Sequence, residues 1–396
     1  MNKLQTGDQN LVKKINKSIV LHAIQTKGPI SRAQISKDTG LNKATVSSMV
    51  TDLIDEHFVN EIGPGPSSGG RKPVMLYFNN HAGYAIGIDL GVNYVLAILT
   101  DLKGNIIEEE IQTLHGVEEN QIIDQLQGII EILMKKSPKS PYGIVGIGVG
   151  VPGIVDQDGI LLFTPYLNLQ QANLKTVLES KFDIPTIVAN EANSGAYGEQ
   201  LYGTGKNVSN LIYESIGIGI GTGIIINGEL YTGSTGISGE MGHLTIETNG
   251  KKCRCGNRGC WELYASESAL LQEAKKLEVF KNQNEIDLDT IEQEAKNGNG
   301  EVLQLLNTIG EFIGIGLTNI INTFNPEMII LGNRMTRFES WILNPIHRVL
   351  DERLSTYHRE SITITTSALG VYSNALGSAS FALSNFLDTN RVTVNH

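Results

Sequence analysis

The feature that most constrains this chain is a set of soft metal ligands in one short stretch: His243, then Cys253, Cys255 and Cys260. All three cysteines of the 396-residue chain fall in this Cys-x-Cys-x4-Cys pattern, on backbone loosened by Gly250, Gly256 and Gly259. Three thiolates and an imidazole satisfy a tetrahedral Zn2+, and four protein ligands leave no open position. The spacing therefore predicts a structural zinc rather than a Lewis acid for catalysis. The alternative is three incidental buried thiols beside a core histidine, which asks chance to gather every cysteine within eight residues. So few cysteines also argue against a disulfide framework.

No run approaches the roughly 20 apolar residues of a membrane helix. Residues 1–10 are polar and lack the apolar run of a signal peptide, so a cytoplasmic location is expected, with no membrane partner. The net charge of −11 disfavours nucleic acid for the chain as a whole. Residues 1–80, however, carry ten Lys and Arg against six Asp and Glu, whereas the remainder carries 21 against 36. A basic head on an acidic body points to a nucleic-acid partner for the head alone, although a surplus of four is also within ordinary scatter.

Leu11, Ile15, Ile19, Leu21 and Ile24 recur near helical spacing and predict a helix over 10–26. Gly28-Pro29 breaks it, Ser31 caps a second helix over 32–38, and Gly40 ends that one. Asn42 caps a third helix over 43–57, with Val46, Met49, Val50, Leu53 and Ile54 on its buried face. Extended runs over 58–62 and 74–78 flank a Gly/Pro/Ser tip that carries Arg71 and Lys72. Three helices followed by a hairpin with a basic tip predict a winged helix-turn-helix over 1–80. In that motif the second helix enters the major groove, which makes Asn42, Lys43, Thr45, Ser47 and Ser48 the candidate base-reading residues. Arg32 and Lys37 are candidate phosphate contacts, and Arg71 and Lys72 suit a narrow minor groove. The plainer alternative leaves the Ser and Thr as helix caps and Arg71 as a solvated loop charge. One such module makes few contacts, so a homodimer on a two-fold operator DNA is expected.

From Gly83 the texture becomes α/β. Strands are predicted over 85–89, 95–100, 143–151, 186–189, 211–216, 218–226, 328–331 and 362–365. Helices are predicted over 118–136, 302–324 and 341–354, with one more closing the chain and a surface helix within 278–300. Strand triplets recur near residues 84 and 211, which suggests two similar lobes. The segments 87–93 and 215–223 are glycine-rich hairpins whose amides are able to cradle phosphate, a weak signal because glycine also serves plain turns. Asn190, Glu191, Asn193, Glu240, His243 and Glu262 are polar groups in apolar surroundings, as a polyhydroxylated ligand requires. They also read as helix caps and surface charges.

The runs Gly236-Ile-Ser-Gly-Glu-Met-Gly-His243 and Cys253-Arg-Cys-Gly-Asn-Arg-Gly-Cys260-Trp-Glu262-Leu-Tyr-Ala-Ser266 resemble the signature of the ROK family (repressors, open reading frames and kinases). The resemblance covers Gly83 to the C-terminus. It implies an actin-like/hexokinase-like domain of two α/β lobes over 81–396, with a sugar in the cleft and a zinc loop, 243–260, bracing one wall. Gly153, Asn168, Asn190, Glu191, Glu240, His243 and Glu262 then line the sugar site, His243 giving one ring nitrogen to zinc and the other to the sugar. With a winged helix in front, the resemblance implies a repressor of xylose utilisation, released from operator DNA by D-xylose or another small sugar.

Family kinases carry Asp-x-Gly-Gly-Thr in the first phosphate loop and an Asp as catalytic base. Here Val92 and Asn93 follow Gly91, and Glu191 stands at the base position, so no catalytic residue is assigned and no enzyme is expected. Gly217–Gly223 and 325–332 stay close to the kinase form, which leaves ATP binding open. The alternatives are an active sugar kinase with a regulatory DNA-binding head, or a glucose-type repressor controlled by a transport protein.

Overall fold

The structure, a computed structural model, describes residues 9–64, 73–116, 118–169, 173–283 and 285–389. The first helix, α1 (Gln9–Lys27), stops at Gly28, where a Cβ would come within 2.5 Å of the Ile24 carbonyl oxygen. Its inward face is Val20, Leu21, Ala23 and Ile24, whereas Ile19, expected on the apolar stripe, is exposed. A short strand, β1 (Ile30–Ser31), leads into α2 (Arg32–Thr39), whose first turn is capped by the Ser31 side chain accepting from the Gln34 amide. Gly40 ends α2 in the left-handed region at φ 73°, and Asn42 caps α3 (Lys43–Asp55) by accepting from the Thr45 amide. The hairpin β2 (Val59–Pro64) and β3 (Val74–Phe78) completes a sheet in the order β1-β3-β2. This is a winged helix-turn-helix; Arg71 and Lys72 lie outside the described residues.

The apolar interior of this head runs on into the body. Phe58 and Leu76 share a cluster with Ala85, Val145, Leu383 and Leu387, and Phe58 stacks on Tyr142 with ring centroids 5.1 Å apart. The Tyr142 hydroxyl donates to the Glu56 carbonyl at 2.7 Å.

The first lobe contains β4 (Tyr84–Leu90), β5 (Tyr94–Asp101), β6 (Ile106–Thr113), α4 (Glu119–Lys136) and β7 (Ile144–Val151). A small hairpin, β8 (Ile154–Val155) and β9 (Leu161–Phe163), follows, then α5 (Leu174–Phe182), β10 (Thr186–Asn190) and α6 (Glu191–Tyr202). The second lobe contains β11 (Leu211–Ile216), β12 (Ile220–Ile226), β13 (Glu229–Leu230), α7 (Glu262–Ala265), α8 (Glu267–Ala274), α9 (Leu288–Lys296) and α10 (Gly300–Phe324). It continues through β14 (Met328–Gly332), α11 (Glu339–Arg353), α12 (Thr356–Ser361) and β15 (Thr363–Thr366) to α13 (Ser373–Thr389).

The two five-stranded sheets, β6-β5-β4-β7-β10 and β13-β12-β11-β14-β15, repeat one order: third, second, first, fourth and fifth strand of the sheet in chain order. In both, the first three strands are antiparallel and the later pairings are parallel. Alternation along β4 sends Ile86, Ile88 and Leu90 towards α4, and leaves Gly87 and Asp89 on the other face. There α13 lies so close that a Cβ on Gly87 would meet the Ala375 carbonyl at 2.1 Å, and one on Gly148 the Ser378 carbonyl at 1.8 Å. In the second lobe α6 sits in the same way over Gly223, whose Cβ would meet the Ala192 carbonyl at 2.2 Å. Several glycines that read as phosphate-loop residues are thus seats for a helix backbone.

In α10, Gly310 and Gly314 receive Pro345 and Val349 of α11, whereas Gly316 packs against the Trp261 ring. The polar stretch near 278–300 holds α9, which buries Leu288, Ile291 and Ala295.

Candidate functional site

The lobes enclose a cavity of about 410 Å³. The first lobe contributes Tyr94, Gly153, Phe163, Pro165, Tyr166, Asn190 and Glu191; the second contributes Gly217–Gly221, Glu240, His243, Arg254 and Glu262. Six of the seven predicted sugar-site residues therefore meet at one place: Gly153, Asn190, Glu191, Glu240, His243 and Glu262. Asn168 does not line the cavity. Its exposed side chain donates to Glu118 at 2.9 Å, because the backbone at 168 bridges to residue 118 on the lobe surface. Asn193 is buried within α6 and also lies off the cavity wall.

Asn190 is first a structural residue. Its Oδ1 caps α6 by accepting from the Ala192 and Asn193 amides, and its Nδ2 donates to the Gly153 carbonyl at 2.8 Å. That bond fixes Gly153 at φ 138°, where a Cβ would strike the Phe163 carbonyl at 2.2 Å. Glu191 opens α6 and accepts from Ser215 at 3.3 Å. Burial, then the charge of Asp89, pushes its carboxyl up to about 8. Asp89 lies behind the wall, held by the Tyr94 hydroxyl at 2.6 Å and by Asn374 of α13 at 3.3 Å; burial raises it to about 6. Tyr94 leans on Gly91, where a Cβ would fall 2.3 Å from its ring, and Gly91, Val92 and Asn93 line the cavity beside it. Gly217, Gly219 and Gly221 do line the cavity, beside Asn333 and the Glu267–Arg334 ion pair at 3.0 Å.

The ligand atoms of His243, Cys253, Cys255 and Cys260 all lie within 4.8 Å of one another, a geometry compatible with a structural metal site. A tetrahedral ion with metal–sulfur bonds of about 2.3 Å needs sulfur–sulfur edges of roughly 3.8 Å; Cys255 and Cys260 stand at 3.7 Å. His243 Nδ1 faces Cys253 Sγ at 3.7 Å, and Nε2 faces Glu240 at 3.9 Å, so its two nitrogens point to the metal cluster and to the cavity respectively. Glu262 sits between them, 3.4 Å from His243 Nδ1 and 3.1 Å from Cys253 Sγ. Burial raises the Glu240 carboxyl above its usual range, with His243 opposing the rise.

On the head, Asn42, Lys43, Ser47 and Ser48 are exposed along one face of α3 and Thr45 is partly so. Asn42 has its Oδ1 engaged in the cap, which leaves the Nδ2 free to donate. Arg32 is paired with Glu61 of β2 at 2.8 Å, a partner that spacing did not reveal. Reasoning from sequence also missed Tyr94, Tyr166, Arg254 and Arg334 on the cavity wall. Only Arg254 carried a signal, its place between two cysteines.

The pattern that defines the ROK family matches residues 85–385, and the chain belongs to that family. It is 47% identical over 386 residues to a xylose repressor of Bacillus spizizenii, covering 97% of this chain and 99% of that one. Among solved structures it resembles a ROK family transcriptional regulator homologous to the E. coli MLC protein, with a TM-score of 0.80, 27% identity and coverage of 95% and 97% of the two chains. A ROK family glucokinase from Streptomyces griseus in complex with glucose and AMPPNP matches with a TM-score of 0.70 and 25% identity, covering 76% of this chain and 99% of its own. Its relatives place the chain among the sugar-responsive transcriptional repressors of the family, while the kinases are its neighbours in fold. Among the described residues no helix is long and apolar enough to cross a membrane.

Proposed function

We propose that the chain is a cytoplasmic repressor that binds a two-fold operator as a homodimer and leaves it when D-xylose enters the cavity between the lobes. The observation that carries this reading is the full-length likeness, head included, to a xylose repressor. Glu240, His243 Nε2 and Glu262 offer hydrogen-bonding groups to sugar hydroxyls from one side, and Glu191 with the Asn190–Gly153 anchor offers them from the other. Zn2+ held by His243, Cys253, Cys255 and Cys260 would brace the wall that presents His243 and Glu262.

Two features speak against sugar phosphorylation. A general base must be ionised to accept a proton, and Glu191, raised to about 8, keeps its proton at neutral pH. Val92 also places a β-branched side chain in the glycine loop that a phosphate would need to approach. In the head, Lys43, Thr45, Ser47 and Ser48 would read base edges, with Asn42 through its free Nδ2; Arg71 and Lys72 would follow the minor groove.

A physical link between the two sites is α13. Asn374 in its first turn binds Asp89 beside Tyr94, and near its other end Leu383, Phe386 and Leu387 pack into the head's apolar cluster. Sugar that closes the lobes would shift α13 and the spacing of the paired heads. For a tenfold to hundredfold release it must favour the DNA-incompetent form by about 1.4–2.7 kcal/mol. Calorimetric titration with D-xylose, D-glucose and ATP, with and without operator DNA, tests this. Xylose binding weakened by DNA, with no ATP consumption, is the expected result; equal affinity in the two conditions overturns the coupling. ATP turnover with either sugar restores the kinase reading.

A further inference from the structure

One wall of the cavity is apolar and carries none of the predicted sugar contacts. It is built from Phe163, Pro165 and Tyr166, on the stretch after β9, which Thr164 closes into a turn by donating to the Leu167 carbonyl at 2.6 Å. Tyr166 belongs to the first lobe, yet Arg254 of the second lobe clasps it. The Arg254 guanidinium lies 4.8 Å from its ring centroid, and Arg254 Nη1 donates to the Pro165 carbonyl at 3.1 Å. The Tyr166 hydroxyl lies beside the Ser268 side chain of α8. Gly219 and Glu262 lie nearby: a Cβ built on Gly219 would be 3.8 Å from Tyr166 and 2.9 Å from Glu262 Oε2. An aromatic ring with a cation over its face, on a backbone held by the same arginine, has less room to move aside for a larger ligand.

We infer that Tyr166 sets the size of sugar this cavity accepts, and that Arg254 is the positioning residue that clasps it across the cleft. This rests on the reading of the cavity as a sugar site. Glu240, His243 and Glu262 take up hydroxyls, and the Phe163–Pro165–Tyr166 wall offers no carboxylate or imidazole of its own, so the part of the sugar turned to that wall is one that shows C–H bonds. A pentopyranose has such an edge at its ring methylene. A hexopyranose carries a hydroxymethyl group there, which would meet the ring or bury its hydroxyl without a partner. The clasp also leaves Arg254 between two metal-ligand positions, Cys253 and Cys255, so the loop that would hold the ion also fixes the wall that selects the sugar.

The test is titration of the full-length, metal-loaded protein with D-xylose and D-glucose, in wild type, Tyr166→Ala, Tyr166→Phe and Arg254→Ala, with metal content and thermal unfolding recorded for each. Wild type should prefer xylose by at least about tenfold. Tyr166→Ala should bring the two sugars within about threefold, and Tyr166→Phe should keep the preference. Arg254→Ala should retain one metal per chain but lose roughly tenfold in xylose affinity and part of the discrimination. A folded Tyr166→Ala with the wild-type xylose-to-glucose ratio overturns the inference. Should that variant fail to fold, Arg254→Ala with unchanged affinity and ratio overturns it equally. A wild type that binds xylose isolates these failures from the sugar reading; one that binds neither sugar overturns both.

Discussion

The two lobes repeat one strand order, yet the helix that leaves each lobe's last strand packs on the sheet of the other: α6 follows β10 and covers β11 and β12, while α13 follows β15 and covers β4 and β7. The exchange makes each lobe depend on its neighbour for one face of its sheet. What differs is the chemistry at matching positions. Asp89 near the end of β4 corresponds to Ser215 near the end of β11, each two residues before a glycine, Gly91 and Gly217. The first lobe keeps its buried acid beside Tyr94 and α13, and the second keeps Glu214, raised well above the usual range by burial, beneath Thr222. Among the described residues the His/Cys cluster lies in the second lobe, and the head's core continues into β4 and β7 of the first lobe and into α13, which covers them. On the proposed reading the repeated scaffold divides its labour: one lobe would hold the polar wall beside the metal-ligand cluster, and the other would carry the signal to the head.

The largest expected effect tests that division. Cys260→Ser, or chelation of the metal, should lower stability by about 4 kcal/mol or more, the linkage expected for an ion present well above its dissociation constant. Hydrogen exchange should rise over 243–266 while β4 and β7 keep their protection; equal loss in both lobes would break the contrast. Next come the paired helix seats. Gly148→Ala and Gly223→Ala should each cost roughly 3 kcal/mol by denaturant unfolding, since a carbonyl of the seated helix must move in both cases. A markedly unequal pair would show that one lobe leans on the exchange more than the other.

A pH effect should locate at the junction. Glu191, raised to about 8, and Asp89, raised to about 6, hold protons in the native state that the unfolded chain has released. Stability should therefore fall as pH climbs from about 4.5 through 8. Glu191→Gln should flatten the part of that fall between pH 6 and 8, measured by unfolding at several pH values. The smallest effect is a control on the outer face of the first lobe. Gly128 of α4 has open space where a methyl group would sit, so Gly128→Ala should stabilise by about 0.5–1 kcal/mol in the same assay.

Local chemistry makes much of this protein legible in its sequence. The ligands at 243–260 are close along the chain, so their spacing alone reports their convergence. Ser31, Gly40 and Asn42 punctuate the head because capping is decided within four residues. The helix α6 is hidden from sequence reasoning because Gly195, Gly198 and its Asn and Ser residues are weak helix formers, and packing against α13 overrides that propensity. Residues 106–113 give no clear strand signal because β6 is an edge strand whose Glu108, Glu109 and Glu110 blur any alternation.

The sequence by itself determined the winged head, the α/β texture, the His/Cys cluster and five polar residues of the cavity, Asn190, Glu191, Glu240, His243 and Glu262, because each is encoded in short-range spacing or in a local signature. Tertiary structure alone decided that Gly87 and Gly223 seat helices rather than phosphates, that Gly148 seats α13, that Asn168 lies away from the cavity, that Arg32 is paired with Glu61, and that Tyr166 is clasped by Arg254. The physical reason is distance along the chain. The partner that gives each of these residues its role lies from tens to hundreds of positions away, and only packing brings the two into contact.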